Sequence, residues 1–316
     1  MSTSPLRLPL STLRSRSLPD WPDAGPCLQA PFSGRYINLD ASTERRARLE
    51  QQLHALGIAH VYARFPAVDG MRMNGVPGAI SRREYGCFAS HVRLLKEAAA
   101  IPAHLHVLED DALLSPEFLP VACGVIDEGV LDEFDLLFTD VFVSWDPLQI
   151  ASLERTRRKH TSLDPYSGRE SLTGVTVFDL HRKRLACTSS YFVSQRSLGR
   201  LAELLERALA AGPAEPVDLT LRNFVDNGTL KAACVIPFIT SVALEAATRS
   251  TIHGDLLGPE LSRLACNLVR HAYFVRPDWQ TIDGILERYF PPQERNPRER
   301  VVDRMMQFLI RNARAF

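Results

Sequence analysis

HLHVLEDDALLSPEF, residues 104–118, combines two opposite tendencies in one short segment. The apolar run from His104 to Leu108 is typical of a buried strand, and it leads directly into three consecutive carboxylates. In open α/β sheets, ligands bind at the edge where the strands end. The stretch therefore predicts an α/β fold with a ligand site just after this strand.

The three carboxylates, Glu109, Asp110 and Asp111, allow two interpretations. Adjacent like charges resist ionisation unless a counter-charge is present, and Mg²⁺ or Mn²⁺ shared with a diphosphate would supply it. The alternative is a solvated acidic turn whose Asp residues cap the next helix. The apolar strand in front of the cluster favours the cation.

Outward from this stretch, strands and helices alternate. Strands are predicted at residues 36–39, 58–65, 104–108, 132–145, 189–194 and 232–239, and helices at 42–56, 81–100, 197–212, after Val217 and in the tail from 255. Ser42 can cap the first helix, Gly57 is expected in the left-handed conformation at its end, and Ser81 and Glu84 form a capping-box pattern at the start of the second. Residues 146–185 are predicted to form a long loop or a small subdomain. The alternation over the first 115 residues predicts a largely parallel sheet flanked by helices.

Composition bounds the class of protein. The chain has 316 residues with 37 basic and 37 acidic side chains, so there is no global basic field for nucleic acid. Six cysteines lie far apart without a C-x-x-C motif, which predicts buried thiols in a reducing compartment. No segment has the length and apolarity of a membrane span, and we expect a cytoplasmic protein.

Four blocks carry a family resemblance. They read RYINLDASTERRARLEQQL (35–53), RFPAVDG (64–70), ISRREYGCFASHVRLLKEA (80–98) and HVLEDDALLSPEF (106–118). In order and spacing they resemble the bacterial family 25 glycosyltransferases, lipopolysaccharide and lipooligosaccharide core enzymes related to the collagen hydroxylysine galactosyltransferases. CTSSYFVSQRSLGRL (187–201) and EPVDLTL (215–221) resemble two later family segments.

This resemblance implies a GT-A-type fold and an inverting, metal-dependent transfer of a hexose, expected to be galactose, from a UDP-sugar to a glycan acceptor. It falls on a catalytic domain at 34–254. Outside it, six prolines and six serines predict a flexible arm at 1–33, and the sequence pattern predicts a helical extension at 255–316. The nucleotide-binding half would cover about 34–118 and the acceptor half about 119–254.

By the same resemblance, Glu109, Asp110 and Asp111 would hold Mn²⁺ or Mg²⁺, with Asp111 the direct ligand. Donor contacts are expected from six further residues: Asn38, Asp40, Arg45, Asp69, Ser90 and His91. Four of them also have a structural interpretation: a helix cap for Asp40, a solvated helix face for Arg45, a turn hydrogen bond for Asp69 and a core histidine for His91.

Inverting transfer needs a base that removes the proton of the acceptor hydroxyl. Asp218, in EPVDL, is the candidate, with Asp140 as its rival and Asp226 as a weaker one. The alternative for Asp218 is a helix cap. The match of its block to the family favours the base.

The acceptor is the least constrained part. The basic runs at 155–160 and 181–184 could meet an anionic glycan, although a solvated face is the usual role of such runs. Residues 298–316 would form an amphipathic helix on an anionic membrane or, alternatively, on the protein body. A degenerate binding or scaffold protein, or a transferase with a peptide or small-molecule acceptor, are the competing functions.

Overall fold

The computed structural model describes residues 30–142, 147–163, 170–183, 187–244 and 260–289, with short pieces at 16–17, 249–250, 254–255 and 305. The strands are β1 Arg16–Ser17, β2 Phe32–Asn38, β3 Tyr62–Pro66, β4 His104–Glu109, β5 Ala112–Leu114, β6 Leu136–Phe138, β7 Thr161–Leu163, β8 Glu170–Leu172, β9 Thr176–Asp179, β10 Ser190–Val193, β11 Ala232–Ile236, β12 Thr240–Val242, β13 Arg249–Ser250 and β14 Gly254–Asp255.

Helices alternate with these strands over much of the chain. They are α1 Thr43–Ala55, α2 Arg82–Ala98, α3 Phe118–Asp127, α4 Val130–Glu133, α5 Pro147–His160, α6 Leu198–Ala210, α7 Val217–Asp226, α8 Glu260–Ala272 and α9 Trp279–Tyr289. The predicted alternation is confirmed, and with it the α/β class.

One sheet contains eight strands in the order β1-β9-β11-β6-β10-β4-β2-β3. Strands β2, β3, β4, β6 and β11 run in one direction, and β9 and β10 oppose them. The sheet is therefore mostly parallel, as predicted. The reversed strand β10 lies between β4 and β6, so its first residues meet the last residues of both neighbours.

Apolar side chains cover both faces of the sheet. One core packs α2, α6 and α7 on the sheet around Phe88, Leu95 and Tyr191. The second core packs α1 and α3 on the sheet around Leu49 and Phe118. Because helices cover both faces of the sheet, polar side chains can reach solvent at the carboxyl edge of the central strands.

Local signals set the boundaries of the helices next to this edge. Ser81 and Glu84 form a complete capping box, in which each side chain accepts a hydrogen bond from the other residue's backbone N–H. Ser42 precedes α1 as expected, but its side chain makes no cap hydrogen bond. Gly57 has φ +71°, the left-handed conformation predicted after α1.

Two local predictions were wrong, and a third was right in one of its alternatives. The described residues of 146–185 are not a long loop: they form α5, β7, β8 and β9, and β7 pairs with β8 in a small separate sheet. Helix α5 escapes recognition because its apolar and polar residues are poorly segregated and four basic residues end it. The strand expected at 58–65 begins at Tyr62, after a 3₁₀ turn. Cys123 is disulfide-bonded, so it is not a free thiol.

The C-terminal extension packs on the body through α8 and α9. Leu264, Leu268 and Ile282 form a small core with Leu244. Phe274 adds a bridge to Phe238, next to β11. The predicted arm at 1–33 and the predicted membrane helix at 298–316 lie almost wholly outside the described residues. Among the described helices, none is long and apolar enough to cross a bilayer.

Candidate active site

The site lies where the carboxyl ends of β2 and β4 meet the first residues of β10. Here a cleft of about 150 Å³ opens between the sheet edge, α2 and the segment that follows β3. Its lining comprises Ile37, Leu39, Arg45, Ala67, Val68, Asp69, Gly70, Met71, Arg83, Cys87, Ser90, His91, Glu109, Asp110 and Asp111. Most of the predicted site residues therefore share one cleft.

Glu109 is the last residue of β4, and two side chains lie within hydrogen-bonding distance of one of its oxygens. Thr188 donates from Oγ1 at 2.7 Å, and His91 Nε2 lies 3.3 Å away. Burial opposes ionisation of Glu109, but these two neighbours outweigh it and lower its pKa. Glu109 is therefore a carboxylate at neutral pH.

Asp110 is held by side chains from the first βα unit. Asn38 donates from Nδ2 to Asp110 Oδ2 at 2.8 Å, and Arg45 donates to Oδ1 at 3.1 Å. Burial nevertheless raises the pKa of Asp110, because desolvation exceeds the stabilisation from both donors. Asn38 thus fixes an acidic side chain 72 residues away in the sequence.

Asp111 is the least satisfied of the three carboxyl groups. Arg45 reaches its Oδ2 at 3.5 Å, whereas its Oδ1 is buried and has no hydrogen-bond partner. Burial, followed by the charge of Glu109, raises the pKa of Asp111 to about 7. A buried carboxyl oxygen without a hydrogen-bond donor destabilises the folded protein unless a cation binds to it.

Asn38 also links the cluster to β3. Arg64 donates from Nε to Asn38 Oδ1 at 2.9 Å and from its terminal nitrogen to Asp40. The side chain of Asp40 is 84% exposed, and Arg64 lowers its pKa. Asp40 therefore lies in solvent beside the cleft and is not part of its lining. Its side chain does not cap α1 either.

The segment after β3 lies directly on α2. Ser90 donates to Gly86 O at 2.7 Å and accepts from Val68 N at 2.8 Å, so its hydroxyl is used in joining helix and segment. A Cβ on Gly86 would lie 2.6 Å from Val68 O, which explains the glycine there. Asp69 caps the following 3₁₀ turn by accepting from Met71 N at 3.0 Å.

Asp218 lies in the first turn of α7 and outside the cleft lining. Pro216 occupies the N-cap position, so Asp218 is not the helix cap. Its carboxyl accepts from the Leu219 N–H at 2.9 Å. Burial, followed by the charge of nearby Glu109, raises its pKa.

Asp140, the rival base, is fully buried behind the edge. It forms an ion pair with Arg270 and accepts from Ser189 Oγ at 3.1 Å. Burial raises the pKa of Asp140 although Arg270 opposes that shift. An acceptor hydroxyl cannot reach this carboxylate without displacing its partner, which favours a structural role.

Arg270 is a residue that the sequence analysis missed. It comes from α8, in the extension outside the family resemblance, and its side chain is 3% exposed. Burial disfavours its charge, but Asp140 outweighs burial and raises its pKa. Its Nε is buried without a hydrogen-bond partner. The sequence of α8 offers no signal for this role, since Arg270 is one arginine among many.

Cys87 is the second residue that was missed. It lies on α2 one turn before His91, and both face Glu109 across the cleft. Burial and the charge of Glu109 raise the pKa of its thiol. The C-x₃-H spacing, which puts both side chains on one helix face, was the available signal.

Comparisons with known proteins bear on the family. A model described as glycosyltransferase family 25 (LPS biosynthesis protein) matches residues 35–221, and no curated protein matches. Among solved structures, the chain is similar to a mannose-1-phosphate geranyltransferase from Thermus thermophilus, with 13% identity, a TM-score of 0.27, and coverage of 65% of this chain and 73% of the other. That likeness is too weak to carry an argument. The family model covers more than half of the sequence and includes the acidic cleft, so the chain belongs to glycosyltransferase family 25, the LPS biosynthesis proteins.

Proposed function

We propose that this chain is an inverting, metal-dependent glycosyltransferase of the GT-A type. It would move a hexose, galactose in the first instance, from a UDP-sugar to a glycan acceptor of lipopolysaccharide or another cell-surface polysaccharide. Family membership supports the reaction class. The donor, the cation and the stereochemistry are the proposed parts.

The observation that carries the proposal is the buried Asp111 Oδ1 without a hydrogen-bond partner. It lies beside two further carboxylates, and its pKa is raised to about 7 by burial and by Glu109. Oxygen donors at this density suit Mn²⁺ or Mg²⁺, and Asp111 with Asp110 would hold the ion. When bound, such an ion stabilises negative charge developing on a leaving diphosphate.

Arg45 supports a phosphate next to the same carboxylates. Its guanidinium lies 3.1 Å from Asp110 and 3.5 Å from Asp111, and its side chain is 14% exposed. The two carboxylates fix the position of this guanidinium, and guanidinium groups are well suited to binding phosphate. Arg45 therefore supplies a fixed positive charge beside the place proposed for a diphosphate.

The size of the cleft limits how the donor lies. At about 150 Å³ the cleft is below the roughly 300–1,000 Å³ typical of pockets for drug-sized ligands. A nucleotide-sugar must therefore extend beyond it. Exposed Met71 and apolar Leu39 both line the cleft, and exposed Asp40 next to Leu39 is the proposed contact for a ribose.

Asp218 suits the role of general base better than Asp140. Burial raises the pKa of both aspartates and so makes each a stronger base, but among the described residues only Asp140 has an ion-pair partner that must first be displaced. In this role it takes the proton of the acceptor hydroxyl while that oxygen attacks the sugar. Asp140, paired with Arg270, instead holds α8 against the sheet edge.

Transfer assays with UDP-galactose, Mn²⁺ and a truncated lipopolysaccharide core as acceptor test the proposal. Donor hydrolysis without acceptor is a second readout. We expect Asp111→Asn to lower the rate at least ~100-fold, a typical cost of removing one electrostatic catalyst. The exposed Asp127→Asn, at the end of α3, is the matched control and should keep full rate.

Two results would contradict the proposal. Full activity in excess chelator would remove the cation from the reaction. Calorimetric binding of UDP and Mn²⁺ with no turnover of any sugar nucleotide would favour a degenerate binding protein instead.

A further inference from the structure

One corner of the cleft holds a sulfur, a nitrogen and an oxygen ligand together. Cys87 and His91 come from successive turns of α2, and Glu109 from the end of β4. One potential ligand atom of each lies within 4.8 Å of the other two. No other such group of three occurs among the residues that the structure describes.

The spacing matches a tetrahedral metal site. Bonds of about 2.3 Å to sulfur and about 2.0–2.2 Å to nitrogen or oxygen place neighbouring ligand atoms about 3.4–3.6 Å apart. His91 Nε2 and Glu109 Oε1 are already 3.3 Å apart. The Cys87 sulfur lies within 4.8 Å of both atoms, so it has to approach them by at most about 1.4 Å when an ion binds.

Two neighbours hold the ligands in place. His91 Nδ1 lies 2.9 Å from the Tyr191 hydroxyl, which can accept the Nδ1 proton and leave Nε2 free to ligate. Thr188 donates to Glu109 Oε1 at 2.7 Å and fixes that carboxylate. Both partners are buried, so His91 and Glu109 are held in place before an ion binds.

We propose that Cys87, His91 and Glu109 bind Zn²⁺ or a similar thiophilic divalent cation, with the fourth position open to the cleft. Thiol and imidazole ligands select such ions over Mg²⁺ and Mn²⁺, which prefer oxygen. Binding replaces the thiol proton, which leaves to solvent. Glu109 also belongs to the acidic cluster, so occupancy of this corner would compete with the oxygen-liganded cation proposed above.

The test uses the full-length chain, stripped of metal, and Co²⁺ as a spectroscopic probe. We expect one equivalent of Co²⁺ to give a thiolate-to-cobalt charge-transfer band that Zn²⁺ removes and excess Mg²⁺ does not. Cys87→Ser should lose the band. Cys187→Ser removes another partly exposed free thiol and should keep it.

Tyr191→Phe removes the partner of His91 and should weaken Co²⁺ binding about 10–100-fold, as is typical of such outer partners. Circular dichroism of each metal-free variant checks its fold. If Cys87→Ser does not fold, X-ray absorption of the wild-type Zn²⁺ complex decides, with one sulfur and two or three N/O ligands expected.

A shell without sulfur, a band that persists in Cys87→Ser, or no band in the wild type would overturn the proposal. Since the probe is the metal alone, these outcomes do not depend on whether the chain transfers a sugar.

Discussion

Replacing Asp111 by asparagine should stabilise the metal-free protein. The substitution removes a charge that burial and Glu109 disfavour, and it places an amide where the carboxyl has no donor. A tenfold change in an ionisation constant corresponds to about 1.4 kcal/mol. A rise in pKa from 3.8 to about 7 therefore costs the folded state roughly 4 kcal/mol near neutral pH.

Solvent screening reduces this figure. The side chain of Asp111 is 22% exposed, so we expect only about half of this cost to be realised. Asp111→Asn should therefore raise the free energy of unfolding at pH 7 by about 2 kcal/mol. For a protein of this size that corresponds to a rise in Tm of roughly 4 °C.

The effect must depend on pH in a definite direction. Because the folded pKa of Asp111 lies above its unfolded value, the wild type loses stability as pH rises from about 4 to 7. Asparagine removes that loss, so the advantage of the variant should shrink to about 1 kcal/mol or less at pH 5.

Urea denaturation of wild type and Asp111→Asn at pH 5.0 and 7.5, in excess chelator, measures both values. Mn²⁺ should then stabilise the wild type and leave the variant unchanged, since ligands that bind only the folded state raise its stability by mass action. A variant that is less stable than wild type at pH 7.5, or equally affected at both pH values, would refute the reasoning.

Three further changes have definite outcomes. Asp218→Asn should lower kcat about 10²–10⁴-fold, as expected for loss of a general base, while UDP binding by calorimetry stays unchanged. Arg270→Met leaves Asp140 buried without its partner and should cost about 3–5 kcal/mol in urea denaturation. Gly86→Ala puts a Cβ 2.6 Å from Val68 O and should cost about 1–3 kcal/mol and weaken donor binding.

Each of these changes has its own control. The exposed Asp127→Asn, at the end of α3, should keep kcat. Asp140→Leu combined with Arg270→Met should recover part of the stability lost in the single variant, because no lone charge stays buried. Gly199→Ala, in open space on α6, should leave both stability and donor binding unchanged or slightly improved.

Sequence patterns predicted what is encoded locally. The capping box at Ser81 and Glu84 and the left-handed Gly57 depend on neighbours within a few residues, and both are confirmed. Ligands of open α/β sheets bind at the carboxyl ends of the strands, so the sequence alone was enough to predict where the acidic cluster lies. The roles assigned to its residues stay predictions.

Other features depend on contacts that no local pattern records. Arg270 reaches the sheet edge only because α8 packs across it. It contacts Ser189, 81 residues away in the sequence, and no local pattern around either residue predicts this contact. The cluster of Cys87 with Glu109 likewise requires α2 and β4 to be neighbours. Helix α5 was missed because its stability comes from packing rather than from its own amphipathic pattern.

The reversed strand β10 has a consequence for how this protein can change. Because it runs against β4, it brings Thr188, from the second half of the chain, into contact with Glu109 in the first half. A substitution at Thr188 therefore acts directly on a carboxylate of the cleft, although the two residues are 79 positions apart in the sequence.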